Sequence, residues 1–203
     1  MSKKIYLVPN DFLNFKGGWS LAPCSIFLAI KHLTYVNELN ILEFGSGDGT
    51  TQLVDLLTKN NIIFNYTSVE HDESYAKTAN VNYQLYHLDG WNYNPDQLDS
   101  VNLTLDRIYD LVIIDGPHGV GRAKWYSKIK NNIRKGTVLL VDDFHHYVEF
   151  STELDTHFEY ETINVFNYAN QHIVINEGTD IVDATNPMIL EKSYKVAKIL
   201  NIK

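Results

Sequence analysis

Two stretches of the chain end apolar runs on carboxylates and then supply histidines: YDLVIIDGPHG at 109–119 and GTVLLVDDFHH at 136–146. A carboxylate that closes a buried run sits at a strand end, where it can bind a cation. An imidazole three residues further on is a proton acceptor suited to neutral pH. Asp115 and His118 are therefore candidates for acid–base work, and Asp142, Asp143, His145 and His146 form a second group of similar composition. A third stretch, ILEFGSGDGTT at 41–51, puts Glu43 just before glycines 45, 47 and 49. Glycines at a strand-to-helix turn let a ligand approach the backbone without side-chain obstruction, and an acid beside them suits a ligand with a positive group while repelling a pyrophosphate. The next apolar run ends on Glu70, about 20 residues beyond the glycines, where an acid grips ribose hydroxyls in nucleotide-binding sheets.

If the runs at 111–115 and 138–142 are neighbouring parallel strands, Asp115, Asp142 and Asp143 converge on one rim. No lysine or arginine stands immediately beside them in sequence, so three like charges call for a cation among them. Oxygen-only ligands favour magnesium, manganese or calcium over zinc. The alternative is that Asp142 or Asp143 caps the following helix and no metal is involved. His145 and His146 either contact metal or substrate, His145 slightly ahead, or merely open that helix.

Short apolar runs alternating with helical stretches must position these groups, a pattern that gives a parallel sheet with helices on both faces. Strands are expected at 41–44, 64–70, 83–88, 111–115 and 138–142, and helices at 20–33, 50–59, 72–80, 122–133 and 145–154, with a short helix near 96–101. HFEYETINVF and QHIVINEG, joined by NYAN, read as a hairpin, and 187–200 as a final helix. The basic run GRAKWYSKIKNNIRK at 121–135 reads as a solvated helix face.

Glu-x-Gly-x-Gly-x-Gly followed by a second acid closing the next strand resembles the class I S-adenosylmethionine-dependent methyltransferases over roughly 41–146. That resemblance implies an α/β fold: a doubly wound, seven-stranded, mostly parallel Rossmann-like sheet with an antiparallel C-terminal hairpin and helices on both faces. It implies one domain, with an N-terminal lid and helix at 1–36, a core at 37–176 and a tail at 177–203. Glu43, Gly45, Ser46 and Gly47 would surround the methionine part of S-adenosylmethionine, Glu70 its ribose, and His71, Asp89, Gly90 and Trp91 its adenine, with Asp115 also beside the cofactor. The acids after the fourth and fifth strands are similar to those of catechol-type and sugar-modifying members, in which Asp115, Asp142 and Asp143 would hold manganese or magnesium. His118 would then be the base, at a position where catechol-type enzymes have lysine. The DGP turn resembles that of glycan-directed O-methyltransferases, so a sugar or glycan hydroxyl is the expected acceptor. A catechol or other small molecule is the alternative. Trp19, in the aromatic NDFLNFKGGWSLAP segment, and His145 would face that acceptor. A nicotinamide-dependent oxidoreductase, whose loop would run G-x-G-x-x-G, and a non-catalytic cofactor-binding protein are the rivals from other classes.

The totals narrow the partners. The 203 residues suit one domain, and 44% apolar with 21% charged residues is ordinary for a globular chain. A net charge of −8 and a pI near 5.4 argue against nucleic acid as a partner. The lone Cys24 forms no intramolecular disulfide and fits a reducing compartment. No run is long enough to span a membrane and no signal peptide is apparent, so a cytoplasmic protein without membrane association is expected, its oligomeric state open.

Overall fold

The computed structural model describes residues 4–5, 21, 23–89, 95–144, 146–166 and 194–203. Its organising element is a seven-stranded sheet. In chain order the elements are α1 (Pro23–Lys31), β1 (Leu39–Phe44), α2 (Asp48–Lys59), β2 (Phe64–Glu70), β3 (Asn82–Leu85), α3 (Pro95–Asp99), β4 (Leu111–Ile114), α4 (Trp125–Ile129), β5 (Val138–Asp142), α5 (Val148–His157), β6 (Phe158–Phe166) and β7 (Tyr194–Ile202). The strand order is β3-β2-β1-β4-β5-β7-β6. Strands β1 to β5 pair in parallel, whereas β7 runs antiparallel to both β5 and β6. This is the doubly wound architecture expected from the sequence.

The central strands are apolar on both faces because both faces are covered. LVII in β4 is buried throughout, as is VLLVD in β5. One core holds Ile41, Leu111, Ile113, Val138 and Leu140 against Leu53 and Leu57 of α2 and Ile26 and Ile30 of α1. The opposite core holds Leu42, Val112, Ile114, Leu139 and Val141 against Trp125 and Ile129 of α4 and Phe150 and Leu154 of α5. Each fully buried aliphatic side chain of this kind contributes roughly 1.5–3 kcal/mol. Asp48 in the first turn of α2 and Lys59 in the last both complement the helix dipole.

Four local expectations are corrected. The helix expected at 122–133 is broken into a 3-10 turn, Val120–Lys124, then α4, then a second turn, Lys130–Asn132, and the one expected at 72–80 is a single 3-10 turn, Glu73–Tyr75. In the basic run, Arg122 is only 3% exposed, so that run is not wholly a solvated face. The final helix expected at 187–200 gives way to β7 over its described part: pairing on both sides, with β5 and β6, overrides the helix-forming Lys, Ala and Leu of YKVAKILNI. The expected hairpin's first strand is β6, and its second, QHIVINEG, lies outside the described residues.

Candidate functional site

The loops at the carboxyl ends of β1, β2, β4 and β5 meet on one rim. The glycine loop follows β1: Gly45 takes φ +89°, and a Cβ there would stand 2.7 Å from the Gly116 amide nitrogen. The loops after β1 and β4 thus touch backbone to backbone, and the Asp115 amide donates to the Phe44 carbonyl at 2.8 Å. Gly47 differs, since a Cβ on it would meet nothing within 4 Å. That open space beside loop amides can admit a ligand.

Glu43 lies beneath this loop, 1% exposed. The Gly47 amide donates to Thr50 Oγ1 at 2.9 Å, and the Thr50 hydroxyl donates to Glu43 Oε2 at 2.8 Å. Burial pushes the Glu43 carboxyl up to about 8, with Thr50, Tyr66 and Ser68 opposing the shift through hydrogen bonds and Glu70 adding to it. Burial, followed by the Glu43 charge, holds the Tyr66 phenol well above its ordinary value, with Asp115 a smaller contributor. An acid so placed is ready to ionise when a cation arrives at the loop.

Glu70 closes β2 and faces the same loop. Its Oε2 accepts from the Ser46 amide at 2.6 Å and the Ser46 hydroxyl at 3.2 Å, and its Oε1 accepts from the amides of His71 and Asp72 at 2.7 and 2.8 Å. His71 Nδ1 lies 2.9 Å from Oε1. Burial raises the Glu70 carboxyl, but the bonds from His71, Asp72 and Ser46 outweigh it and leave the group below its ordinary value. A ribose diol reaching this carboxylate must therefore share or displace the Ser46 donors. The expected adenine-side residues are less gathered: Asp89 is exposed and pairs with His87 at 3.0 Å, and Gly90 and Trp91 lie outside the described residues.

The turns after β4 and β5 complete this rim. Asp115 is half-buried and His118 exposed, with a cis Gly116–Pro117 bond between them. The Trp125 indole donates to the Gly116 carbonyl at 2.8 Å while its ring stacks on Phe44 at 4.4 Å, which fixes this turn against the core. Arg122 Nε donates to the Pro117 carbonyl at 2.8 Å, and Nη1 donates to the Asp142 carbonyl at 3.3 Å and stands 3.6 Å from Asp143 Oδ2. Asp143 also lies 3.2 Å from His146 Nδ1.

These contacts lend the metal expectation no support. Asp115, Asp142 and Asp143 do not form a shared ligand set: among the described residues no group of three or more His, Cys, Asp or Glu side chains is placed to hold a metal ion. A cation is present beside Asp143, but it is Arg122, brought in from seven positions beyond Asp115 by the 3-10 turn. Asp143 does not cap α5 either. It adopts φ 54° and precedes Tyr147, the N-cap of that helix, by four residues. His145 and Trp19 lie outside the described residues. Arg122, Thr50 and Trp125 were not foreseen, and the only hint of Arg122 was an arginine following a glycine-rich turn.

The profile of a family described as a methyltransferase domain matches residues 42–144, just over half of the chain. The chain belongs to that methyltransferase family. A search of curated proteins finds no significant relative. Among solved structures, the domain is similar to a candidate O-methyltransferase of Klebsiella pneumoniae at 15% identity and a TM-score of 0.53, covering 95% of this chain and 87% of that one. It is similar to the ribosomal protein L11 methylase of Lactobacillus delbrueckii at 9% identity and a TM-score of 0.53, covering 88% and 78%. A third similar structure, TrmN of Thermus thermophilus, has 9% identity and a TM-score of 0.52, with 95% of this chain and 52% of that one covered. At these identities the likeness concerns the fold. The residues of this methyltransferase domain fit the cofactor the family implies: an open glycine turn at Gly47, an ionisable acid beneath it and a second acid at the end of β2. No helix among the described residues is long and apolar enough to cross a membrane.

Proposed function

We propose that the chain is an S-adenosylmethionine-dependent O-methyltransferase that transfers methyl to a hydroxyl of a sugar or glycan. The observation that carries this reading is the open turn at Gly47 on the same rim as the exposed His118. When bound, S-adenosylmethionine would supply an electrophilic methyl group for the acceptor oxygen, with a neutral thioether as the leaving group. Glu43 ionises to meet the positive charge at the loop, and Glu70 accepts from the ribose hydroxyls in place of the Ser46 donors. His118 takes the acceptor hydroxyl's proton as the new C–O bond forms, and its exposure lets that proton pass to water.

The O-methyl assignment follows the Klebsiella relative and the DGP turn, and the glycan preference rests on that turn alone. Isothermal titration calorimetry with S-adenosylmethionine tests the cofactor, and mass spectrometry of a panel of glycans and catechols incubated with it, with manganese or with chelator, tests the acceptor. Binding of a nicotinamide cofactor instead would replace this reading with an oxidoreductase.

A further inference from the structure

The two turns that complete the rim are joined by a single side chain. Arg122 is 3% exposed, its guanidinium stands 5.7 Å from the centre of the Phe150 ring, and its polar contacts divide between the turns: Pro117 from the loop after β4, and Asp142 and Asp143 from the loop after β5. Burying a guanidinium costs several kcal/mol unless its donors are used, so a fold that buries this one must gain from the geometry it imposes. Two local features are tied to it. Asp143 holds φ 54°, a left-handed conformation that costs a non-glycine residue of order 1 kcal/mol, and it is held there by Arg122 on one side and His146 on the other. Pro117, whose carbonyl Arg122 grips, is the residue immediately before His118.

We propose that Arg122 is a positioning residue for methyl transfer, the built-in cation that locks the turn bearing His118 to the Asp142–Asp143 turn and occupies the electrostatic role a divalent ion would otherwise fill. The proposal rests on the methyltransferase reading for what His118 does, but its geometry stands apart from cofactor binding. A planar fork suits the task where an ammonium does not, because one group must address two carbonyls and a carboxylate in different directions. Arg122 thus acts on both the position of His118, which Trp125 also supports from Gly116, and the local demand for a cation, and the two effects separate by substitution. Arg122→Lys retains the charge and loses the fork. Arg122→Gln loses both.

The test uses the full chain and no acceptor. Manganese is titrated by electron paramagnetic resonance, and the His118 ring resonances are followed by NMR, with assignment by His118→Gln. In the parent, manganese up to millimolar concentration is expected to remain free. Arg122→Gln should move the His118 resonances and take up manganese only weakly, at millimolar concentration, since the acidic turn loses its cation but the described residues offer it no ligand set of three. Arg122→Lys should leave manganese free but still move His118. Half-buried Lys124, on the same 3-10 turn and paired with Asp99 away from both turns, serves as the control, and Lys124→Gln should change neither. Micromolar manganese binding by the parent that is lost in Asp143→Asn would overturn the proposal, as would unmoved His118 resonances in Arg122→Lys. Both of these arms remain decisive if Arg122→Gln does not fold. S-adenosylmethionine binding by the parent is measured alongside: its absence refutes the methyltransferase reading and leaves the manganese and NMR results to judge Arg122.

Discussion

Gly45 and Gly116 face each other so closely that a Cβ on either would stand 2.7 Å from the backbone of the other. The contact sets the spacing between the loop after β1 and the turn after β4, because backbone at that distance cannot yield as a flexible side chain does. Gly45→Ala also meets a φ of +89° and should cost about 2–4 kcal/mol, while Gly116→Ala should cost about 1–3 kcal/mol. Urea denaturation reads both, and unchanged midpoints would show that the loops part easily.

Gly47 should behave in the opposite way. Its backbone is extended and the space for a Cβ is open, so Gly47→Ala should alter stability by no more than about 0.5 kcal/mol. S-adenosylmethionine affinity should nevertheless fall about tenfold, since the methyl group occupies the ligand's approach. Calorimetry and denaturation on the same sample separate the two effects.

Glu43 makes stability depend on pH. Its carboxyl is raised from 4.5 to about 8, so the native state favours the proton more than the unfolded chain does. That contribution is fully present below the unfolded value and is lost as pH rises through the folded one. Stability should therefore decline between about pH 4.5 and 8 relative to Glu43→Gln, by at most roughly 5 kcal/mol. Thermal melts across that window check it: parallel curves for parent and variant would mean that Glu43 is already ionised.

His118→Gln should lower kcat by roughly 10²–10⁴ while leaving the dissociation constant for S-adenosylmethionine unchanged. Steady-state rates on an accepted substrate, paired with calorimetry, provide the measurement. A variant as fast as the parent would remove His118 as the base.

Much of the sheet was legible because its strands are continuous apolar runs ending on acids. The strands expected at 64–70 and 138–142 agree with β2 and β5 to the residue. The 187–200 expectation failed because YKVAKILNI carries helix-forming residues, and only its partners β5 and β6, distant in sequence, make it a strand. In the site, Glu43 and Glu70 could be found from spacing to the glycines, a local signal. The cation beside Asp143 could not. Arg122 is remote from Asp143 in sequence, and only the broken geometry of 120–132 carries it inward. Trp125 was hidden for the same reason, its partners Phe44 and Gly116 both belonging to other segments.

The insertion of β7 between β5 and β6 governs how the molecule assembles. Phe158–Phe166 emerges from synthesis before Tyr194–Ile202, the strand that pairs with it among the described residues. Closing that connection costs chain entropy before any ladder bonds reward it. Nascent chains halted before Tyr194 would carry an unsatisfied strand edge on β5, the surface on which a chaperone or a second nascent copy would act.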